Sequence, residues 1–450
     1  MKEQWKFLID ATEKQKQIVY DTARTIWSHP EIGYKEWKTS ACLEEQFKKL
    51  GYNLKKAGNI PGFIAEADTG RPGPTIAILG ELDSLICAGH PAADPDTKAV
   101  HACGHNCQSA YLAGLAAVFQ EPGVLEGLCG KIRFVSVPAE ETIDLEYRNQ
   151  LIREGTIKYL AGKIEFLYRG YLDDVDIAVM MHADTGGPHL VEVFDGSDGC
   201  ITKHFEFEGK AAHAGVSPWK GVNALYAASL GLAACNALRE TFQEKDYVRF
   251  HPIMTGAGVA ANAIPETAKL DAYCRAGNVE TMINTNKKIN RALAGAAAAL
   301  GANVHITDKP GNLPLHNCKE LNQLFDEITT GIYGEGTVLH GPWQTGSCDM
   351  GDLSSILPVC QPMVTGAKGT IHGADFDMGD MDKSCMNPVR ILTVLIFELL
   401  SENGKKALDI IEHYQPVYAS KEAYFEAIDQ IATDYRAVSY EEDGSINLKM

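Results

Sequence analysis

Apolar positions in the first 190 residues follow two spacings. Trp5, Leu8, Ile9, Ile18, Val19, Thr22, Ala23 and Ile26 recur at helical intervals, predicting a helix over 5–28 that stops at His29-Pro30. A second amphipathic helix is predicted over 40–50, with Gly51 as its C-terminal cap. Between and beyond them stand continuous apolar runs of strand length: Thr75 to Gly80, Lys131 to Val137, and Asp176 to Met181. Unbroken apolar strands belong to a sheet covered on both faces. Each run ends in polar residues: Glu81-Leu82-Asp83, Glu140-Glu141 after Pro138-Ala139, and His182. A small-residue helix is predicted over 107–119. Strand, helix and strand with polar residues at the strand ends predict an α/β, mostly parallel sheet with its site at the carboxyl edge.

Near residue 195 the pattern changes to strict alternation. Cys200 to Gly209 reads as a half-exposed strand of an antiparallel sheet. Ala-rich helices are predicted at 220–240 and 279–300, with strands around 247–253 and 267–275. This is an α+β unit of 196–308 inserted into a discontinuous first domain, 1–195 and 309–450. Beyond Pro310 and Pro314 a helix is predicted at 319–331, and Ile391 to Leu400 reads as a buried helix. The tail from about 420 is charged and aromatic and shows no chemistry.

Composition narrows the choices. At 450 residues the chain is long for one core. A net charge of −18 argues against nucleic acid and anionic membrane as partners. Met1 to Lys6 has no apolar signal-peptide core, and Ile391 to Leu400 is too short to span a bilayer. The 12 cysteines have no regular spacing, which suits reduced thiols in a cytoplasm.

The chemistry centres on His101-Ala102-Cys103-Gly104-His105. Alternate positions of an extended or looped backbone project to one side, so Cys103 and His105 can reach one point, with His101 behind. Imidazole with thiolate favours zinc or another late first-row metal over calcium or magnesium. Glu140-Glu141 is the second element. Adjacent carboxylates at a buried strand end repel and lose hydration, so the pair calls for a cation. One can bind metal while its neighbour handles a proton. His182 ends a strand and His372 lies on a Gly-flanked loop. Cys103, His105, Glu141, His182 and His372 exceed the needs of one tetrahedral zinc, but suit a two-metal site with a shared ligand.

The sequence resembles the M20 metallopeptidases and amidohydrolases, in the branch with the aminoacylase-like, auxin-conjugate and aminobenzoyl-glutamate hydrolases. The resemblance rests on His29-Pro30-Glu31-Ile32-Gly33, Gly80-Glu81-Leu82-Asp83, His101 to His105, Pro138-Ala139-Glu140-Glu141, Met181-His182, Gly209 to Ala214, Asn262-Ala263-Ile264-Pro265 and His372. It implies a dinuclear catalytic domain, an inserted lid that dimerises, and amide hydrolysis. By that resemblance Glu140 is the base, and Cys103, His105, Glu141, His182 and His372 are ligands, with Asp83 and His101 behind them. His213 polarises the scissile carbonyl, and Asn262 and Arg275 contact the substrate. Two departures stand out: Asn106 replaces an Asp of many relatives, and Thr142 to Asp174 replaces a glycine run.

The expected activity is two-metal hydrolysis of an N-acyl, N-aroyl or N-aminoacyl amino acid, by a cytoplasmic homodimer paired through its lid. Zinc or manganese are the first candidates, cobalt or nickel the next. The competing reading is a metal-binding protein without catalysis, against which the retained Glu140 speaks. A zinc nucleobase deaminase is disfavoured because Pro-Cys-x-x-Cys is absent.

Overall fold

The computed structural model describes residues 2–449, and these divide into two compact units. The first comprises the chain through Asp195, His316–Trp343 and Asp352–Val417. Its centre is a 6-stranded sheet in the order Leu54–Lys56, Phe63–Asp68, Lys131–Val137, Thr75–Glu81, Ile177–Val179, Val359–Cys360. The last four strands run parallel; the first two are antiparallel additions at one edge. Thr75–Glu81 is buried at all 7 positions, as its unbroken apolar run requires. Because Lys131–Val137 and Ile177–Val179 flank it in parallel, the carboxyl ends of all three strands open at one edge. The polar residues after those strands are thereby gathered together.

Helices Lys16–Trp27, His105–Val118 and Asn387–Leu400 contribute to one continuous apolar core against this sheet. Every residue of His105–Val118 is buried. Among the described residues no single helix is long and apolar enough to cross a membrane. Two expected elements are broken. The helix over 5–28 is two, Glu3–Glu13 and Lys16–Trp27. The strand over 176–181 stops at Val179, and His182–Asp184 pairs in a separate 4-stranded sheet with Met363–Thr365. Gly51 does occupy the left-handed region, at φ 87°.

The second unit comprises Gly196–Leu315, Gln344–Gly351 and the chain from Tyr418 onward. Its antiparallel 5-stranded sheet runs Arg249–Gly256, Thr267–Ala276, Gly199–Glu208, Asn303–Asn312, Thr433–Arg436. Helices Ala224–Ala237 and Val279–Ala299 pack together beside it. The division departs from the expected boundaries at its second half. Residues 309–315, 344–351 and 418–450 group with this unit rather than the first. Strand Asn303–Asn312 runs on past residue 308, and Thr433–Arg436 pairs antiparallel with it, from His305↔Arg436 to Asp308↔Thr433. Charge in the tail concealed a strand that attaches by backbone pairing and by side chains as well, Arg436 reaching Glu208 at 2.9 Å and Tyr440 Oη donating to the Ala302 carbonyl at 2.7 Å.

Candidate metal centre

The first unit brings Cys103, His105, Glu140, Glu141, His182 and His372 to one place. Cys103 Sγ lies 3.4 Å from His182 Nε2 and 3.4 Å from His372 Nε2. His372 Nε2 is 3.0 Å from Glu141 Oε1. Donor atoms fall into three groups close enough to share an ion: Cys103, His105 and His182; Cys103, Glu141 and His372; and His105, Glu140 and Glu141. Cys103, His105 and Glu141 each belong to two of these groups; the two groups that share Cys103 together contain all five expected ligands, which suits two adjacent cations with a common thiolate.

Local backbone explains the convergence. Gly104 sits at φ 82°, and a side chain there would collide with Ala183, so the loop can press against the strand that carries His182. Ala139 and His372 hold the left-handed region at φ 60° and 65°, uncommon for residues with a Cβ. His372 is pinned there by its N–H on the Ala102 carbonyl at 2.8 Å, which ties its loop to the Cys103 loop. Asp83 joins two ligand loops: Oδ1 lies 3.1 Å from His105 Nδ1, and Oδ2 accepts from Glu141 N at 2.9 Å. This leaves His105 Nε2 for the centre. His182 Nδ1 is held by the Ala183 carbonyl at 2.8 Å, so its Nε2 is likewise turned to Cys103. Asp83 thus supplies a carboxylate behind the ligands, as the resemblance implies. Asn106 itself points Nδ2 at the Ala23 carbonyl, 3.3 Å away.

The donor set fits divalent cations by a direct test. His105 Nε2 and Glu141 Oε1 are buried and have no hydrogen-bond partner, although each faces another donor at close range. Lone pairs aimed at a common point without hydrogen-bonding alignment are the arrangement that a bound cation would satisfy. Electrostatics agrees. Burial pushes the Cys103 thiol up, and Glu141 adds to that, so its thiolate needs positive charge nearby. Burial opposes the ionised form of Glu141, but His372 overrides it and holds the carboxyl below its usual range. Burial works against charged His105, yet Glu81 raises it well above the ordinary histidine value. His101 is buried with both ring nitrogens unpartnered, and burial pushes it down to about 3. It joins none of the donor groups and lies beside the ligands as a neutral ring.

The residues that sequence reasoning missed lie beneath the ligands. Glu81 is wholly buried; its Oε2 accepts from Gln108 Nε2 at 2.7 Å and stands 3.1 Å from His105 Nε2. Its Oε1 pairs with Lys163, also wholly buried. Burial opposes this carboxylate's charge, but Lys163 and then His105 bring it down to about 2. Arg148 donates to the carbonyls of Ala139, Leu160 and Glu141. A side chain at Gly33 would collide with Arg148, so the glycine of His29–Gly33 makes room for it. Lys163 and Arg148 both come from 142–174. That segment, which stands where many relatives have a glycine run, packs two cationic side chains under the site.

In the second unit, His213 Nδ1 accepts from Gly215 N and Val216 N, both at 3.1 Å. Two donors on one nitrogen fix the neutral tautomer with its proton on Nε2, leaving an exposed N–H to donate. Asn262 is its neighbour: Ala214 N donates to the Asn262 carbonyl at 2.9 Å, and His213 bridges Ala263. Arg275 lies on Thr267–Ala276 with one guanidinium nitrogen 3.1 Å from the Thr345 carbonyl.

An open, mostly parallel sheet with a thiolate–imidazole–carboxylate centre at its carboxyl edge defines a metal-dependent hydrolase. Residues 196–300 match the peptidase dimerisation domain of M20 enzymes. The chain is 28% identical to the Xaa-Arg dipeptidase of Mus musculus over 360 residues, 76% of this chain and 74% of that one. It is 30% identical to one of the p-aminobenzoyl-glutamate hydrolase polypeptides of Escherichia coli (strain K12), over 66% of this chain and 59% of that protein. The crystal structure of a dinuclear metal-binding M20 peptidase from Bacillus subtilis superposes with a TM-score of 0.66 at 19% identity, over 86% of this chain and 99% of that one. The chain thus carries the peptidase dimerisation domain of M20 enzymes and is similar along most of its length to M20-type dipeptidases and amidohydrolases.

Proposed function

We propose that the protein hydrolyses the amide bond of a small N-acyl, N-aroyl or N-aminoacyl amino acid, using two divalent cations held by Cys103, His105, Glu141, His182 and His372. The observation that carries this reading is the pair of donor groups sharing Cys103, with Glu140 beside them in a third group. Cations bound there supply Lewis acidity to the carbonyl and lower the pKa of water to about 7. Glu140 accepts a proton from the attacking water on its carboxylate and delivers it to the leaving nitrogen. Glu141, the adjacent carboxylate, serves as a ligand, its charge balanced by the bound cation. His213 offers its Nε2 proton to the carbonyl oxygen as negative charge develops there. Arg275 and Asn262 orient the substrate, the guanidinium fork suiting a carboxylate. Relatives named for dipeptides and for aminobenzoyl-glutamate support this substrate class. A metal store without catalysis has no use for Glu140.

In this reading the first unit is catalytic and the second is a lid through which two chains pair. Pairing is supported by the edge strand Arg249–Gly256, where Ile253 is 63% exposed, and by Trp219 at 77%. Zinc or manganese are the first candidates for the metal, and the free cysteines suit a reducing cytoplasm. The test is turnover of a panel of dipeptides, N-acyl amino acids and aroyl-glutamates by protein loaded separately with zinc, manganese, cobalt and nickel. Chelator-sensitive release of a free amino acid is expected. Metal binding without cleavage of any amide would leave the storage reading standing.

A further inference from the structure

Lys163 is an unusual neighbour for a cation site. It is wholly buried, and its ammonium is held against Glu81 only one residue pair away from His105. A positive charge so placed opposes cation binding, and burying it costs free energy. The fold nevertheless goes to some length to put it there. Gly162 packs so closely on the Pro138 carbonyl that a Cβ would collide with it, and its N–H reaches the Ala139 carbonyl at 3.2 Å. Helix Gly162–Tyr168 is thereby fixed to the loop that carries Glu140 and Glu141, with Lys163 as its second residue.

What Lys163 restrains is visible in Glu81. Oε2 stands 3.1 Å from His105 Nε2, a nitrogen with no hydrogen-bond partner that is turned to the centre. A small swing of this carboxylate would add it to the ligand set. Gln108 holds Oε2 at 2.7 Å and Lys163 holds Oε1, one neutral and one charged restraint on the same group. We propose that Lys163 is a positioning residue of the metal centre: it keeps Glu81 out of the first coordination sphere, so that the cations retain open positions for water and the substrate carbonyl. An extra carboxylate ligand would reduce the Lewis acidity and fill a position that catalysis needs.

The inference rests on the metal-centre reading above and has its own test. Chelator-stripped protein is titrated with Co²⁺ and followed by visible absorption and by the thiolate-to-cobalt charge-transfer band. Wild-type protein should show that band, from Cys103. Lys163→Met should bind Co²⁺ roughly 10-fold more tightly, the scale at which residues behind a metal ligand act, with an altered ligand-field spectrum and lower turnover. The Glu81→Gln/Lys163→Met double variant should return towards the wild-type spectrum and affinity, and Lys163→Arg should keep both. A merely structural lysine would give the opposite sign, since a damaged site binds more weakly. Weaker or unchanged binding by Lys163→Met with an unchanged spectrum overturns the proposal. If Lys163→Met does not fold, Lys163→Gln, which can still donate a hydrogen bond to Glu81, takes its place. If neither folds while the double variant does, the pair is a folding element and the proposal is overturned. Absence of the charge-transfer band in wild-type protein would instead overturn the metal-centre reading itself.

Discussion

Lys163 in the first unit and Lys203 in the second are both wholly buried, and each faces a wholly buried carboxylate. Their surroundings lead in different directions. Lys203 lies directly across the sheet from Asp308, and the pair closes on Asn286 and Asn290 of helix Val279–Ala299. Asp308 Oδ2 accepts from both asparagines at 2.7 Å. That network joins a helix to its own sheet, with Tyr435 of strand Thr433–Arg436 also reaching Asn290. Lys163 pairs with Glu81, Glu81 approaches His105, and His105 is one of the donors around Cys103. Burial and pairing are alike in the two places; the function of each is decided by the next contact outward. A buried ion pair is weak evidence for stability and, equally, weak evidence for function until its neighbours are followed.

The largest effect is expected where that chain of contacts reaches chemistry. Glu140→Gln should lower kcat by roughly 10²–10⁴-fold while leaving metal stoichiometry intact, because it removes the base and keeps the shape. Steady-state kinetics beside elemental analysis checks this, and retained activity would remove Glu140 from its assigned role. Lys203→Met sharpens the contrast from the other side. It leaves Asp308 buried without its cation, so unfolding should cost about 3–5 kcal/mol less, read by denaturant titration, with metal content unchanged. Loss of metal from that variant would break the comparison outright.

His213→Ala should come next, at roughly 10²–10³-fold in kcat with metal and fold intact. A rise confined to KM would make His213 a ground-state contact. The smallest effect lies at the surface of the first unit. Hydrogen bonding from Arg390 comes first among the causes that lower Asp382 to about 2, with Lys16 adding to it. A carboxyl lowered on folding contributes stability above its unfolded value and loses it as pH falls towards the folded one. Asp382→Asn should therefore cost about 1 kcal/mol or less at neutral pH, and acid titration of both proteins should show the difference shrinking between about pH 4 and pH 2.

Much of this architecture could be read in the chain. The three buried strands announce themselves by unbroken apolar runs, and the ligand residue types are chemically narrow enough to stand out at strand ends. Lys163 and Arg148 could not be found that way. Their segment has the mixed polar and aromatic composition of a surface excursion, and nothing local says that a lysine will be buried by contacts far away in sequence. Lys203 is a different case. It falls in the register of Ile201, Phe205 and Phe207, so strand alternation already puts it on the buried face. Asn106 was legible as a departure and Asp83 as a residue behind the ligands; that Asn106 turns its Nδ2 to the Ala23 carbonyl was not, because that partner lies far away in sequence. The tail attaches through backbone pairing and through polar side chains such as Arg436 and Tyr440, whose partners lie far away in sequence.

The central claim is that Cys103 is shared by two cation positions, and its most direct test is the metal content of Cys103→Ser. Hydroxyl is a far poorer ligand than thiolate for a soft divalent metal. Wild-type protein reconstituted with zinc or manganese and freed of excess metal should carry two ions per chain by elemental analysis. Cys103→Ser, folded by circular dichroism, should carry clearly fewer, because both positions lose a donor. Two ions retained per chain in Cys103→Ser would contradict the shared-thiolate centre.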